Sequence, residues 1–161
     1  MRGGFLVVFW MFLFPALGHP EAACLTTLPP NPPFIPPAEY TSMHQSDGGF
    51  WYGTDALWTQ LDADGVWHTT DNVDKRGGYV TKLIFWRRGL DWRKEPEPKL
   101  ILTARRLDGD SPTVAEAGAS AVFINGSPAM MTGTRIPTTG CWEVNAYYRG
   151  HTLTFVVSVQ P

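Results

Sequence analysis

Apolar side chains recur at every second position in two runs near the C-terminus. The first run contains Trp142, Val144, Ala146 and Tyr148, and the second contains Leu153, Phe155, Val157 and Val159. A period of two predicts β-strands that bury one face. A short turn, Arg149–Gly150–His151, separates the two runs. Two alternating runs around a short glycine turn predict a β-hairpin.

The rest of the chain is also typical of short strands. Its 16 glycines and 14 prolines in 161 residues interrupt it too often for a helical bundle. An aromatic content of 13% excludes a disordered chain. The pattern predicts one antiparallel β-sandwich of about seven strands, with a small barrel as the alternative. Further strands are predicted over 51–61, 66–70, 79–86, 99–107, 121–124 and 129–134. A hairpin turn is expected at Asp62–Gly65, and a short helix at Val114–Ala119.

The N-terminal part divides into two segments before this domain. An apolar run from Phe5 to Leu17 follows Arg2 and is too short to span a bilayer comfortably. It predicts a signal peptide over 1–18, cleaved after Gly18, with an uncleaved membrane anchor as the alternative. Residues 19–38 form a proline-rich segment that we expect to be extended, as a spacer or as a strap over the domain. The β-sandwich domain is then assigned to residues 39–161.

The chain contains two cysteines, Cys24 and Cys141. In an exported protein, a disulfide between them is the first expectation. Lipid attachment at Cys24 is the alternative, since Ala22 and Ala23 precede it as in bacterial lipoproteins, although Glu21 does not fit that signal. With a disulfide the proline-rich segment is a strap, and with a lipid it is a spacer. A free catalytic cysteine comes third.

Charge is segregated along the chain. Residues 39–74 contain seven acids and no base, whereas residues 75–106 contain ten bases and three acids. The simpler interpretation is that the two segments are neighbours whose side chains pair. The functional interpretation is a binding patch for anionic polysaccharides, peptidoglycan or lipid headgroups, because arginines beside aromatic rings bind anions and stack. Its candidate residues are Trp86, Arg87, Arg88, Trp92, Arg93 and Lys94.

Catalytic and cofactor motifs are missing from the sequence. It contains no nucleophile elbow, phosphate loop or zinc-protease motif, and no two histidines have metal-ligand spacing. We therefore expect no cofactor, no metal and no catalysis. The net charge of −2 argues against general nucleic-acid binding. Asp55, within an aromatic run, is the carboxylate around which an alternative hydrolase site is conceivable.

Several landmarks together resemble a group of short exported bacterial proteins of unknown function. They are Cys24, the Ala56–Thr59 segment, Arg105–Asp108, and Gly140–Val144 followed by the C-terminal hairpin. The resemblance implies export and supports the Cys24–Cys141 pairing, and it implies no activity. The Cys-Trp-Glu-Val strand with its hairpin partner is also similar to the last two strands of immunoglobulin-like domains.

These observations together predict an immunoglobulin-like sandwich exported to the periplasm or outside the cell. The expected function is a non-catalytic binding or structural module of the cell envelope. Its partner is an unidentified envelope glycan or protein. The alternatives are a hydrolase of envelope polysaccharide and a lipoprotein anchored at Cys24.

Overall fold

A computed structural model describes residues 23–40, 48–68, 78–124 and 126–161. The predicted signal peptide lies outside these ranges. The described residues form ten strands and one short 3₁₀ turn, Ala38–Tyr40. The strands are β1 (Gly49–Thr54), β2 (Leu57–Asp62), β3 (Val66–His68), β4 (Tyr79–Trp86), β5 (Ile101–Arg106), β6 (Val114–Ala117), β7 (Ser120–Ile124), β8 (Ser127–Ile136), β9 (Gly140–Tyr148) and β10 (His151–Gln160).

The strands form two five-stranded sheets, as the prediction of a β-sandwich requires. One sheet has the order β1-β2-β4-β8-β7, and the other has the order β3-β10-β9-β5-β6. Their inward faces share one hydrophobic core. Residues of both sheets meet in it with almost no exposure, among them Phe85, Met130, Trp142, Val144 and Phe155. The finer expectation of an immunoglobulin-like domain stays a prediction.

The C-terminal hairpin is confirmed. Strands β9 and β10 pair antiparallel from Tyr148 with His151 to Gly140 with Val159. Arg149, in the turn, has a positive φ of 48°, and Gly150 follows with a φ of 84°. The alternating residues Trp142, Val144, Leu153 and Phe155 all face the core. The strand predicted over 79–86 is also confirmed, as β4.

The turn predicted at Asp62–Gly65 is present, with the Gly65 amide donating to the Asp62 carbonyl at 3.0 Å, but the hairpin predicted around it is wrong. The aromatic run 51–61 divides at Asp55 and Ala56 into β1 and β2, which pair with each other. The chain then leaves this sheet, because β3 pairs in parallel with β10 of the other sheet. The ring of Trp67 in β3 packs edge-on against Phe155, with the centroids 6.2 Å apart. Long-range pairing and packing therefore replace the pairing of β2 with β3 that the turn predicts.

The predicted short helix at Val114–Ala119 is also wrong. Val114–Ala117 forms β6, which pairs antiparallel with Ala104–Ile101 of β5. A helix of six residues is too short to be stable by itself, and the open edge of β5 supplies backbone hydrogen-bond partners for a strand. The described residues form ten strands instead of about seven, because long predicted segments divide and the edges gain short strands.

The described part of the proline-rich segment is a strap. It begins at Cys24, and the Thr27 amide donates to the Val156 carbonyl, beside the open edge of β10. The strap then crosses to the other sheet, where Phe34 packs on Trp58 with the ring centroids 6.2 Å apart. Pro36 and Pro37 are buried there. The strap thus covers one open side of the sandwich and part of the outer face of the first sheet.

The sandwich has two distinct ends. Strand β4 runs from Tyr79 at one end to Trp86 at the other. The end near Tyr79 includes the disulfide and the start of β9, and we call it the disulfide end. The end near Trp86 includes the loop 87–98, and we call it the tip end. Within the described ranges, there is no helix of the length and apolarity needed to cross a bilayer.

Candidate functional site

The disulfide predicted between Cys24 and Cys141 is present, with the two Cα atoms 5.3 Å apart. The two sulfurs join residues 117 positions apart in the sequence. This bond attaches the start of the strap to β9. It also uses the sulfur atom that lipid attachment at Cys24 would need.

A polar cluster surrounds this bond. Arg106 Nε donates to Asp108 Oδ1 at 2.7 Å, and the Cys141 amide donates to Asp108 Oδ2 at 2.9 Å. Burial by itself raises the pKa of Asp108, but the hydrogen bonds from Arg106 and Cys141 outweigh it and lower that pKa. A Cβ atom at Gly140 would lie 2.8 Å from both Arg106 and Asp108. The cluster therefore has a structural role, and Gly140 makes the close approach possible.

Trp86, one of the predicted patch residues, is not exposed. Its side chain is only 4% exposed and lies beneath the strap in a second hydrophobic cluster with Tyr40 and Trp58. Tyr40 packs edge-on against Trp58, with the ring centroids 5.0 Å apart. Trp86 also packs edge-on against Trp51, with the ring centroids 5.3 Å apart, so the predicted patch loses one of its two tryptophans.

Two of the predicted arginines make internal contacts. Arg88 contacts Glu39 at 3.0 Å and Asp55 at 3.3 Å, with all three side chains more than half exposed. The acidic and basic segments of the sequence therefore do meet, as the simpler interpretation of their charges proposed. Arg87 donates to the Arg88 carbonyl, and its guanidinium lies 5.7 Å from the Tyr148 ring centroid.

Asp55 differs from its prediction. It was expected within the strand predicted over 51–61, but it lies in the turn between β1 and β2 and is exposed. The Arg88 guanidinium joins it to Glu39. Asp55 and Glu39 therefore share one arginine on an exposed surface, and the alternative of a hydrolase around Asp55 stays a hypothesis.

The remaining predicted residues form an exposed surface at the tip end. The Arg93 guanidinium lies over the half-buried Trp92 ring, 4.6 Å from its centroid. Phe123, which is 58% exposed, lies beside Trp92 with the ring centroids 6.0 Å apart. Lys94 follows, and its side chain is 86% exposed. We call Trp92, Arg93, Lys94 and Phe123 the tip platform.

The loop that presents the tip platform is held at three points. At its start, the Tyr40 hydroxyl donates to the Arg87 carbonyl at 2.8 Å and accepts from the Gly89 amide at 3.2 Å. Asp91 Oδ1 accepts from the Arg93 amide at 3.2 Å. At its end, Glu95 Oε2 accepts from the Tyr148 hydroxyl at 2.6 Å. The loop is therefore ordered before any ligand binds.

Charge and burial around the loop agree with these contacts. The hydrogen bond from Lys94 lowers the pKa of Asp91, helped by two backbone amides. Burial raises the pKa of Tyr148, and the hydrogen bond to Glu95 raises it further. Asp91 is thus charged at neutral pH, and Glu95 orients the end of the loop by accepting from the Tyr148 hydroxyl.

Sequence reasoning missed Phe123, Asp91 and Glu95. Phe123 lies on the edge strand β7, and only the tertiary fold brings it beside Trp92. The turn at Asp91 has a sequence signal, because Asp favours turns in which its side chain accepts from the following backbone amides. Nothing in the sequence pairs Glu95 with Tyr148, which is 53 positions away.

Within the described residues, no three His, Cys, Asp or Glu side chains lie together in a way that would hold a metal ion. No protein family, characterised protein or solved structure matches this chain significantly. Function is therefore argued from the geometry of the chain itself.

Proposed function

We propose that the protein is an exported, non-catalytic binding module of the cell envelope that binds anionic glycans through its tip platform. One observation carries the proposal. An exposed arginine, stacked on a tryptophan beside an exposed phenylalanine, lies on a loop that is held at both ends. Aromatic faces bind the C–H faces of sugars, and guanidinium groups bind sulfate, phosphate or carboxylate.

The platform has cationic groups for such a ligand. Arg93 makes no ion pair among the described residues, while Lys94 shares its charge with Asp91 at 3.3 Å. Both side chains are exposed, so binding them costs little desolvation. Order in the loop also reduces the conformational entropy that binding costs.

Export without a lipid at Cys24 is part of the proposal, and the disulfide supports it. Disulfides persist in oxidising compartments outside the cytoplasm. The Cys24 sulfur cannot carry both a disulfide and a thioether-linked lipid. Within the proposal, the strap is therefore a covering element of the domain and not a spacer above a membrane.

The test measures binding of the purified full chain to dextran sulfate, with neutral dextran as the matched ligand. We expect binding to dextran sulfate that weakens with salt, and no binding to dextran. Trp92→Ala and Arg93→Glu should each weaken binding about tenfold, which corresponds to about 1.4 kcal/mol. Lys82→Glu makes the same charge change on an exposed residue of β4 and should retain binding.

Salt dependence alone does not locate binding at the tip platform, because any cationic surface shows it. Equal binding by wild type, Trp92→Ala and Arg93→Glu would contradict the proposal, as would equal loss in Lys82→Glu. Circular dichroism of each variant separates lost binding from lost folding. Cosedimentation of the same proteins with peptidoglycan sacculi then tests a natural envelope glycan.

A further inference from the structure

The first sheet opens at the disulfide end. Strands β2 and β4 share only two pairs in register, Trp58 with Trp86 and Thr59 with Phe85, near the tip end. By contrast, β4 and β8 stay paired from Phe85 to Tyr79. Strands β2 and β4 therefore diverge toward Asp62 and Tyr79. A cavity of about 260 Å³ lies at this opening.

The walls of this cleft are mostly apolar. Ile136 and Val159, at 1% and 2% exposure, line it from the two sheets. The half-buried rings of Trp67 and Tyr79 line it as well, and Trp67 is held edge-on against Phe155. Its volume is close to the lower limit of small-molecule sites, which are commonly apolar with a few oriented polar groups.

The rim of the cleft is acidic. Asp62, the last residue of β2, lines it, and Asp64 follows in the turn. Neither carboxylate makes an ion pair among the described residues. Among the residues that the structure describes, the lining contains neither Lys nor Arg, and His68 is its one basic side chain. Burial raises the pKa of Asp62, and the nearby Asp64 charge raises it further, while His68 opposes the shift.

A cation at this rim would relieve the repulsion between the two carboxylates, and aromatic faces attract cations. We propose that the cleft binds a small organic cation, whose ammonium group faces Asp62 and whose apolar part lies against Trp67 and Tyr79. This site is separate from the tip platform, at the opposite end of the sandwich, and does not depend on glycan binding.

The experiment uses two matched pairs of probes with the full chain at neutral pH. Choline is compared with 3,3-dimethylbutan-1-ol, its neutral isostere, and phenethylamine is compared with 2-phenylethanol. Binding is measured by isothermal titration calorimetry. Shifts of the Trp67 indole N–H are followed by NMR, with Trp67→Phe used to assign that signal. We expect at least one cation to bind about tenfold tighter than its neutral partner.

Substitutions test whether the Asp62 carboxylate binds the ammonium group. Asp62→Asn should weaken binding of the cation about tenfold and leave the neutral partner unchanged. Asp55→Asn removes an exposed carboxylate at the tip end and should change neither. Trp92→Ala, which removes part of the tip platform, should also retain cation binding, so failure of one proposal is distinguishable from failure of the other.

Three results would overturn the proposal. They are no binding of either cation, equal binding of a cation and its neutral isostere, and equal binding by wild type and Asp62→Asn. A shift of the Trp92 indole signal without one at Trp67 would place the cation at the tip and would also overturn it.

Discussion

At the disulfide end, the Arg106 side chain donates a hydrogen bond to Asp108, and these side chains are 24% and 14% exposed, respectively. At the tip end, Arg88 contacts Glu39 and Asp55 through side chains that are all more than 50% exposed. Both are arginine–carboxylate contacts of about 3 Å. The first also satisfies the Cys141 amide next to the disulfide, whereas the second lies on an open turn.

The two contacts differ in how far their side chains are buried and in whether a backbone amide shares the carboxylate. Exposed ion pairs contribute about 0–1 kcal/mol, because water screens them and long side chains lose entropy. Hydrogen bonds to partly buried charged groups contribute about 1.5–3 kcal/mol. The disulfide end therefore maintains the fold, while the tip end has side chains that can change partners at small cost to stability. This division is why we place glycan binding at the tip.

Removal of the disulfide should lower the free energy of unfolding more than any other change considered for the two ends. Replacement of both cysteines, Cys24→Ser with Cys141→Ser, opens a loop closed over 117 residues. The chain-entropy model gives a loss of about 5 kcal/mol, and measured losses are commonly about 2–5 kcal/mol. Urea denaturation followed by tryptophan fluorescence measures the loss.

The control for this variant is reduction of the wild-type protein, which should reproduce the loss without any change of sequence. A loss below about 1 kcal/mol in both experiments would show that the strap is held by its packing on Trp58 and not by the disulfide.

The Asp108→Asn variant should be the next most destabilising. The amide retains the shape but loses the charge that Arg106 and the Cys141 amide bind. We expect a loss of about 1–3 kcal/mol at neutral pH. Asp110→Asn, a change of the same kind at an exposed residue nearby, is the matched control. Equal effects of the two changes would remove the distinction between the partly buried cluster and the surface.

The pH dependence of Asp108 has a definite sign. Its pKa is lower in the folded protein than in the unfolded chain, so its contribution is present above the unfolded value, about 3.9. That contribution is lost as the pH falls through the folded pKa. Wild type should therefore lose more stability than Asp108→Asn between neutral and acidic pH. A parallel decline of the two proteins would contradict this assignment.

The sequence predicts the parts of the fold whose patterns are local. The alternation of Trp142 to Tyr148 and of Leu153 to Val159 specifies the C-terminal hairpin, because each residue faces the core or solvent in turn. The run Tyr79–Trp86 predicts β4 for its β-branched and aromatic residues. The count of two cysteines allows one intramolecular disulfide, which predicts the pairing of Cys24 with Cys141.

Other features depend on contacts that no local pattern encodes. Strand β3 has three residues, and its parallel pairing with β10 depends on Trp67 meeting Phe155. Trp86 and Trp92 have similar basic neighbours in the sequence, but Trp86 is buried in the cluster with Tyr40 and Trp58, whereas Trp92 is half-buried beside Phe123. Trp86 is therefore too buried to belong to an exposed patch, while binding by the loop residues stays a prediction.

The smallest predicted effect is at the tip end, where Arg88→Gln should cost less than about 1 kcal/mol, because the guanidinium and both carboxylates are solvated. Added salt should reduce even this loss.

A double-mutant cycle compares the two ends directly. It measures the coupling free energy of Arg88 with Asp55, from Arg88→Gln and Asp55→Asn, beside the coupling free energy of Arg106 with Asp108. The second coupling should be the larger, since those side chains are less exposed and a backbone amide shares the carboxylate. Equal couplings would mean that burial does not distinguish the two ends, and the assignment of the tip as the adaptable end would then have to rest on binding data alone.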